Sequence, residues 1–411
     1  MRNIITGIDI GNSAVKTLIV EHNGGASRPR ILGVGVGPSN GLRKGMVVDM
    51  EEAAQDVKNS LVQAQTAAGI KIKRAYVSIA GSHIRNQVSR GVIAVSRADN
   101  EISENDIQRV IDAASTISLP PNREIIHVLP KRYIVDGQEF IKNPVGMTGI
   151  RLEADVLIID ALSPYLKSLA KIINGNDVEV AQFVFAPLAA AKAVLNKKIR
   201  EHGSMCLDIG GGLCNLAVYE EGDLIYTSSL PIGSKNITND LAIVIKTSLE
   251  NAERIKLEHG FVGNEAHTKK DVINLSDLLE EKDATIHKKI IGDVIDDRVS
   301  EIVELVSAEL KKINRSGGLA GGVTISGGGS KLLGLARYVK EKLKLPVRTV
   351  SNYELDGLVN KIDDPSWACA VGLALWGIEN EFRRKEENFF ERFGTRNLID
   401  KIKTWLRNFL P

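Results

Sequence analysis

Hydrophobic and polar positions follow the same pattern at the start of the chain and near its middle. Residues 7–20 read GIDIGNSAVKTLIV, and residues 206–219 read CLDIGGGLCNLAVY. Each segment has an apolar run, an Asp, a glycine-containing turn and a second apolar run, which predicts two strands joined by a tight turn. Such a turn exposes backbone N–H groups next to the carboxylate. The repetition predicts two similar domains that face one cleft.

Strand-like and helical periodicities alternate along the rest of the chain. Short apolar runs predict strands at residues 75–81, 91–96, 125–135, 152–159 and 179–185. Helical spacing predicts helices at residues 49–68, 103–117, 186–198, 235–259, 286–313 and 365–378. Residues 379–388 are charged and lack an apolar face, so they are predicted to form a linker. The alternation of strands and helices predicts an α/β fold.

Composition narrows the class of protein. The chain has 411 residues, 43% hydrophobic and 25% charged, enough apolar material for two or three cores. Lys and Arg are spread out and the formal net charge is +2, so no nucleic-acid partner is expected. Cys206, Cys214 and Cys369 form no CxxC pair and are odd in number, which favours a reducing compartment and hence the cytoplasm.

Two observations limit how the chain can meet a membrane. The N-terminal sequence MRNIITGIDIG has no secretory h-region or cleavage site and reads as a strand. No run of about 18 consecutive apolar residues occurs, so no segment is expected to cross a bilayer as a helix. Any membrane contact is therefore expected to be peripheral.

Residues 397–410, NLIDKIKTWLRNFL, predict an amphipathic helix. At about 100° per residue, the apolar side chains fall within an arc of about 140°. These side chains are Leu398, Ile399, Ile402, Trp405, Leu406, Phe409 and Leu410. The other face carries Lys401, Lys403 and Arg407 against Asp400, which suits anionic lipid head groups. Docking onto the protein's own core is the alternative, but the basic face and the charged segment before it favour a membrane surface.

The order of these motifs resembles the actin, Hsp70 and sugar-kinase superfamily and, within it, the bacterial cell-division FtsA family. The resemblance covers nearly the whole chain. It implies an actin-like two-domain fold with duplicated ribonuclease H-like cores, two inserted subdomains and a C-terminal amphipathic helix. The two Asp-Gly hairpins match phosphate loops, SGGGSKL at residues 326–332 matches an adenosine motif, and residues 230–242 and 365–378 match the connecting motifs.

The resemblance implies bound ATP and Mg²⁺. Glycine turns bring backbone donors close to phosphate oxygens, and Asp9 and Asp208 would hold Mg²⁺ through its waters. Glu253 and Lys256 match a pair that contacts ribose hydroxyls, although such a pair on a helix is ordinarily a solvated ion pair. The implied nucleotide-binding residues are Asp9, Gly11, Asn12, Ser13, Lys16, Asp208, Gly210, Gly211, Gly212, Asn215, Gly233, Glu253, Lys256, Gly327, Gly328, Gly329 and Lys331.

Domain boundaries follow from the resemblance. The first domain core is assigned to residues 1–82, 161–202 and 359–380, with an inserted subdomain at 83–160. The second core is assigned to residues 203–234 and 317–358, with an insertion at 235–316. Residues 381–396 are assigned to the linker and 397–411 to the membrane-targeting helix.

The resemblance also implies partners and a location. The family polymerises on the cytoplasmic face of the cell membrane at the division site, as a peripheral protein, and ties the FtsZ ring to it. The first insertion would contact later division proteins and neighbouring protomers. In the second, Arg298 matches an arginine that binds the C-terminal tail of FtsZ, although Asp296, Asp297 and Glu301 around it also fit an ordinary ion-paired surface residue.

Catalysis is a separate question. Hydrolysis needs a group that orients or deprotonates the attacking water. Filament proteins resembling MreB carry a Glu just before the Pro of the corresponding helix, but here Phe185 and Ala186 precede Pro187. ATP is therefore expected to act as a switch for closing the cleft and self-association, with slow hydrolysis at most.

Two other functions belong to the same superfamily. A small-molecule kinase would need an acidic base that faces a substrate pocket, and no such motif is evident. A type IV pilus adaptor resembling PilM has the same core but lacks this kind of terminal helix. The amphipathic segment at residues 397–410 therefore favours the cell-division function.

Overall fold

The structure is a computed structural model that describes residues 3–24, 27–263, 271–274, 285–350 and 353–392. The amphipathic helix predicted at residues 397–411 lies outside the described residues. The strands are β1 (Asn3–Ile10), β2 (Ala14–His22), β3 (Arg30–Pro38), β4 (Leu42–Arg43), β5 (Met46–Val47), β6 (Arg74–Ile79), β7 (Arg85–Ala94), β8 (Arg123–Val135), β9 (Gln138–Ile141), β10 (Arg151–Leu162), β11 (Glu179–Phe185), β12 (Ser204–Ile209), β13 (Cys214–Glu220), β14 (Asp223–Leu230), β15 (Val272–Asn274), β16 (Thr285–His287), β17 (Gly322–Ser326), β18 (Val347–Thr349) and β19 (Asp356–Gly357).

The helices alternate with these strands. They are α1 (Met50–Ala68), α2 (Glu104–Ser115), α3 (Ser163–Asn174), α4 (Ala186–Val194), α5 (Lys197–Glu201), α6 (Ser234–Ile245), α7 (Leu249–His259), α8 (Lys288–Lys312), α9 (Leu335–Leu343) and α10 (Ala368–Arg392). Among the described helices, none is long and apolar enough to cross a membrane.

The first sheet has the strand order β11-β6-β1-β2-β3-β19 and helices on both faces. Helices α1 and α3 cover one face with an apolar cluster that includes Val57 and Ile173. Helices α4 and α10 cover the other. Helix α1 lies almost against β3, since a Cβ on Gly35 would come within 1.9 Å of the Ser60 carbonyl oxygen. The glycine-rich sequence of β3 therefore sets the spacing of this layer.

The second sheet has the order β14-β13-β12-β17-β18. Helices α6, α8 and α9 pack on one face around residues such as Ile295 and Val339. The other face contacts α4, whose Val194 and Leu195 share a cluster with Cys206 and Ala217. Helix α4 therefore lies between the two sheets and joins their cores.

A third sheet, β7-β10-β8-β9, forms an insertion after β6. Helix α2 packs on it through Val110 and Ala114. Ser103 caps α2 as predicted, in a capping box with Asp106. The strands predicted at residues 125–135 and 152–159 are confirmed as parts of β8 and β10.

Two predicted helices are interrupted. The helix predicted at residues 235–259 is wrong, because α6 ends at Ile245, Lys246 adopts φ +58° and Ser248 caps the new helix α7. The helix predicted at residues 186–198 ends at Val194, and Asn196 caps the short α5. In both cases a side-chain cap competes with continuation of the helix.

Helix α10 extends further than predicted. After a 3-10 turn at Pro365–Trp367, it continues from Ala368 to Arg392, so residues 379–388, predicted as a linker, are helical. The first turn of that segment binds the body through polar side chains rather than an apolar face. Glu379 pairs with Lys192, and Asn380 donates to Gln182 at 2.8 Å.

Candidate functional site

The two Asp-containing hairpins have the same local geometry. The first joins β1 to β2, and the second joins β12 to β13. The backbone N–H of Gly11 donates to Ala14 O at 3.1 Å, and that of Gly210 donates to Leu213 O at 2.8 Å. Asp9 lies opposite Lys16 in its hairpin and Asp208 opposite Asn215 in the other. The repeat in the sequence is thus a repeat in structure.

The hairpin turns touch each other across the cleft. A Cβ on Gly212 would lie 2.0 Å from Asn12 Nδ2, and one on Gly211 would lie 2.0 Å from Ser13 Oγ. Lys235 Nζ, from the second half, donates to Asn12 O at 2.7 Å. Glycine is needed where the two turns approach most closely.

Both hairpins line one cavity of about 450 Å³. All the residues predicted to bind nucleotide line this cavity except Gly233. Gly233 lies behind the second turn, where a Cβ would come within 2.6 Å of the carbonyl oxygens of Gly210 and Gly211. The backbone N–H of Ser234 donates to Gly210 O at 2.9 Å, so the start of α6 supports that turn.

The two carboxylates are held by neighbouring strands. Asp9 accepts a hydrogen bond from Ser78 Oγ at 2.9 Å. Asp208 accepts from Ser326 Oγ at 3.0 Å and from Asn215 Nδ2 at 3.2 Å. Burial and the nearby charge of Asp9 raise the pKa of Asp208. Two carboxylates in one cavity are a donor set that fits Mg²⁺ bound through its waters.

Lys16 brings a positive charge close to these carboxylates. Its Nζ donates to Ser366 O at 2.6 Å and lies 5.6 Å from the centroid of the Trp367 ring. Burial lowers the pKa of Lys16, and the charges of Asp9, Asp364 and Asp208 oppose that shift. A partly buried ammonium in this position is suited to bind an anionic group that enters the cavity.

A second cluster of polar side chains lies on α6 and α7. Lys256 is buried, and its Nζ donates to Glu253 Oε2 at 2.6 Å and to Thr238 Oγ1 at 2.9 Å. The Glu253–Lys256 pair is therefore not an ordinary solvated ion pair. The carboxylate of Glu253 remains partly exposed and lines the cavity. This end of the cavity can thus accept hydrogen bonds from hydroxyl groups.

The glycine turn after β17 forms another wall. Gly327 has φ +83°, and a Cβ there would lie 2.4 Å from Ile209 O. Lys331 pairs with Asp364 at 2.8 Å. Apolar side chains complete this side: Ile237, Leu257, Val299, Ile302, Leu332, Leu333 and Leu335. An apolar wall beside a glycine turn fits a flat aromatic base.

Sequence reasoning missed several residues of the site. Ser78 and Ser326, which hold the carboxylates, come from strands far away in the chain, and the apolar wall comes from α6, α7, α8 and the segment before α9. Ala186, just before Pro187, lines the cavity at the position considered for a catalytic Glu, and Phe185 is buried behind it. The described cavity thus has no titratable group at this position.

Arg298 lies outside this cavity, on α8. It donates to Asp240 of α6 through Nε at 2.6 Å and Nη2 at 3.0 Å, and also pairs with Glu301. These pairs raise the pKa of Arg298. The residue thus connects α6 to α8.

Comparison with known proteins identifies the family. The family model "SHS2 domain inserted in FTSA" matches residues 81–160, and the model "Cell division protein FtsA" matches residues 205–372. The chain belongs to the FtsA family. The cell division protein FtsA of Borreliella burgdorferi is 33% identical over 98% of this chain and 98% of its own length. That of Pseudomonas aeruginosa is 32% identical over 92% of this chain and 90% of its own.

Solved structures confirm the actin-like fold of this family member. The PilM-PilN type IV pilus biogenesis complex matches with a TM-score of 0.68 and 18% identity, over 91% of this chain and 98% of that chain. MreB5 of Spiroplasma citri bound to ADP matches with a TM-score of 0.54 and 16% identity, over 94% of this chain and 99% of that chain. The chain is therefore an actin-like cell-division protein.

Proposed function

We propose that this protein binds ATP with Mg²⁺ in the cavity between its two halves. The observation that carries the proposal is that Asp9 and Asp208, each beside a glycine turn, line the same cavity. The turns would donate backbone N–H groups to the phosphates, and Lys16 would neutralise their charge. Glu253 and Lys256 would contact the ribose, and Gly327 to Gly329 would lie against the adenine.

A similar fold with bound nucleotide supports the choice of ligand. MreB5 of Spiroplasma citri was solved with ADP and with AMPPNP. Asp9 and Asp208 would hold the magnesium ion through its waters, and the ion would screen the repulsion between the carboxylates and the phosphates. The proposed cofactors are ATP and Mg²⁺.

The test is nucleotide retention by the purified full chain. We expect ATP or ADP to be released on denaturation of wild-type protein, and Asp208→Asn to lose most of it because one ligand of the hydrated metal is neutral. Asp112→Asn, on the exposed face of α2, is the matched control and should retain nucleotide. Equal retention by all three proteins would contradict this site.

We propose further that ATP is a structural switch rather than a fuel for rapid turnover. The cavity has Ala186 where a water-orienting carboxylate would be needed. Phosphate release in the steady state should therefore be slow. Fast release that disappears in Asp208→Asn would show that the chain has another catalytic group.

The cellular function that we propose is to connect the division ring to the membrane. Residues 397–411 would bind anionic lipid at the cytoplasmic face of the cell membrane, and Arg298 would bind the FtsZ tail. The insertion at residues 83–160 would contact later division proteins, and ATP-bound protomers would polymerise. Family membership and the apolar stripe of residues 397–410 support this proposal.

A further inference from the structure

Three polar side chains lie in one row across the second sheet. Asp208 on β12 lies directly opposite Asn215 on β13, which lies directly opposite Ser229 on β14. Residues opposite each other on neighbouring strands project from the same face of the sheet. Here they form continuous hydrogen bonds. Asn215 Nδ2 donates to Asp208 Oδ2 at 3.2 Å, and Ser229 Oγ donates to Asn215 Oδ1.

The row continues into the other half of the molecule. The backbone N–H of Gly81, just after β6, donates to Ser229 Oγ at 3.3 Å. We call Gly81, Ser229, Asn215 and Asp208 the Ser229 chain. Its hydrogen bonds all donate toward the carboxylate, which only accepts when ionised and so fixes the orientation of the Asn215 amide. Hydrogen bonds aligned in this way strengthen one another.

Gly81 lies where the chain enters the inserted subdomain of residues 81–160. Two residues later, the carbonyl oxygen of His83 accepts from Arg123 Nη2 at 2.8 Å. Arg123 also pairs through Nε with Asp160, close to where the chain leaves the subdomain. Arg123 and Asp160 are both buried. One arginine therefore ties the entering segment to the leaving one.

A second contact beside the Ser229 chain joins the same elements. Asn86 Nδ2, at the start of β7, donates to Thr227 O on β14 at 2.7 Å. Strand β14 therefore holds the base of the inserted subdomain at two points, residues 227 and 229. Any shift of β14 relative to residues 81–86 must change both of them.

We propose that Ser229 couples occupancy of the nucleotide cavity to the position of the inserted subdomain. The inference rests on the proposed function, because it needs a ligand that acts on Asp208. A ligand held at Asp208 would fix the orientation of that carboxylate, and the hydrogen bonds through Asn215 and Ser229 would transmit this constraint to Gly81. Since coupling between sites is reciprocal, a partner that moves the subdomain changes nucleotide affinity as well.

Hydrogen exchange measured by mass spectrometry tests this coupling in the full chain. In wild type, Mg²⁺ and ATP should slow exchange of peptides covering residues 80–86 by about fivefold. Ser229→Ala should still bind ATP, within about threefold of wild-type affinity, but lose that response. Ser228→Ala is the matched control on the same strand, since strand alternation directs its side chain to the other face. It should respond like wild type.

Ser229→Thr separates coupling from simple destabilisation. It keeps the hydroxyl on a strand that tolerates β-branching, so the response to ATP should return. The proposal is overturned if Ser229→Ala responds fully, if Ser229→Thr stays unresponsive while it binds ATP, or if wild type binds ATP without any change at residues 80–86. Failure of wild type to bind ATP at all would instead defeat the proposed function, and the coupling with it.

Discussion

At the scale of single residues, glycines decide how closely the two halves can approach. Gly211 and Gly212 face Asn12 and Ser13 without side chains of their own. Gly233 is behind them, and the atoms that it approaches are backbone oxygens. A side-chain neighbour can rotate away, but a backbone neighbour cannot. Gly233 therefore constrains the site more than its position outside the cavity indicates.

We predict that Gly233→Ala weakens ATP binding. Its φ of −165° is accessible to alanine, so the backbone itself is not strained. The added Cβ would push the start of α6 away from Gly210 and Gly211 and break the hydrogen bond from Ser234 N. Affinity measured with a fluorescent ATP analogue should fall by about tenfold or more, or about 1.4 kcal/mol. Gly318→Ala, where a Cβ meets only ordinary contacts, should bind like wild type. Unchanged affinity in Gly233→Ala would contradict the proposed support of the turn.

His83 gives a prediction about pH. It is buried against Tyr165, and neither of its ring nitrogens has a hydrogen-bond partner among the described residues. Burial, with Arg123 nearby, lowers the pKa of His83 from 6.5 to about 4. The folded protein thus binds fewer protons than the unfolded one between these values. The free energy of unfolding therefore has its full value above pH 6.5 and falls as the pH drops toward 4.

We predict that His83→Leu stabilises the protein and reduces its acid sensitivity. At pH 7.5 the free energy of unfolding should rise by about 1 kcal/mol, because an unpartnered polar group is removed. Acidification from pH 7.5 to pH 5 should cost His83→Leu roughly 2 kcal/mol less stability than it costs wild type. Urea unfolding at both pH values measures these changes. The exposed His202→Leu is the control, and an equal loss of stability with acid in His83→Leu and wild type would refute the assignment.

The site residues that could be predicted from the sequence share one property: each belongs to a pattern of residues close together in the chain. Asp9, Lys16 and Asp208 could be predicted because each belongs to a repeated strand, turn and strand whose spacing is visible along the chain. The contacts of Ser78 with Asp9 and of Ser326 with Asp208 could not be predicted, because they depend on the pairing of strands distant in sequence. Nothing around a single serine on a buried strand indicates which Asp will lie beside it.

At the scale of elements, the apolar periodicity of the sequence predicts where helices occur, and the capping residues determine where those helices begin and end. The apolar spacing of α6 runs into that of α7, but Lys246 and the capping Ser248 separate them. Helix α10 shows the opposite case, since its charged continuation is held by Gln182 and Lys192 on other elements. A helix without an apolar face can thus persist where polar partners are supplied by the fold.

Arg298 gives the prediction at this scale. It joins α8 to α6 through Asp240, so a structural role and the proposed FtsZ role must be separated. Arg298→Met removes the cation, whereas Asp240→Asn leaves the cation but weakens the helix contact. Both should lower the free energy of unfolding by about 1 kcal/mol or less, as expected for a partly exposed pair.

Binding of an FtsZ tail peptide should separate these two variants. We expect Arg298→Met to lower the affinity for the peptide by about tenfold or more. Asp240→Asn should bind the peptide with wild-type affinity, as measured by fluorescence anisotropy. Equal loss in both would mean that Arg298 only supports the helices. Equal retention would place the peptide elsewhere.

At the scale of the whole molecule, the two halves share an apolar core around α4. Val194 and Leu195 contact the second sheet, while Ala189 and Ala190 belong to the same cluster as Ala370 and Leu373 of α10. The halves are therefore joined by an apolar core at the floor of the cleft, and above it they meet through hydrogen bonds at the hairpins and at the base of the inserted subdomain. This arrangement lets a ligand in the cleft change the contacts at the hairpins without disturbing the shared core.

Together with the proposed lipid binding by residues 397–411, the position of α10 predicts which side of the molecule would face a membrane. Helix α10 packs on the first sheet and is described as far as Arg392, and the predicted amphipathic segment begins at residue 397. The chain from residue 392 to residue 397 can span at most about 17 Å. The membrane surface is therefore expected near the end of α10, on the side of the first domain.

We predict that Leu406→Glu prevents sedimentation of the full chain with anionic vesicles, whereas Asn408→Glu, which adds the same charge to the polar face, does not. The first change places a carboxylate in the apolar stripe, and the second only reduces attraction to the head groups by about 1 kcal/mol. The vesicle-bound fraction should therefore fall by about tenfold more for Leu406→Glu. Vesicles without anionic lipid should bind wild type weakly. If both variants bind like wild type, residues 397–410 do not hold the protein on lipid; if both fail equally, charge rather than insertion of the apolar face decides the binding.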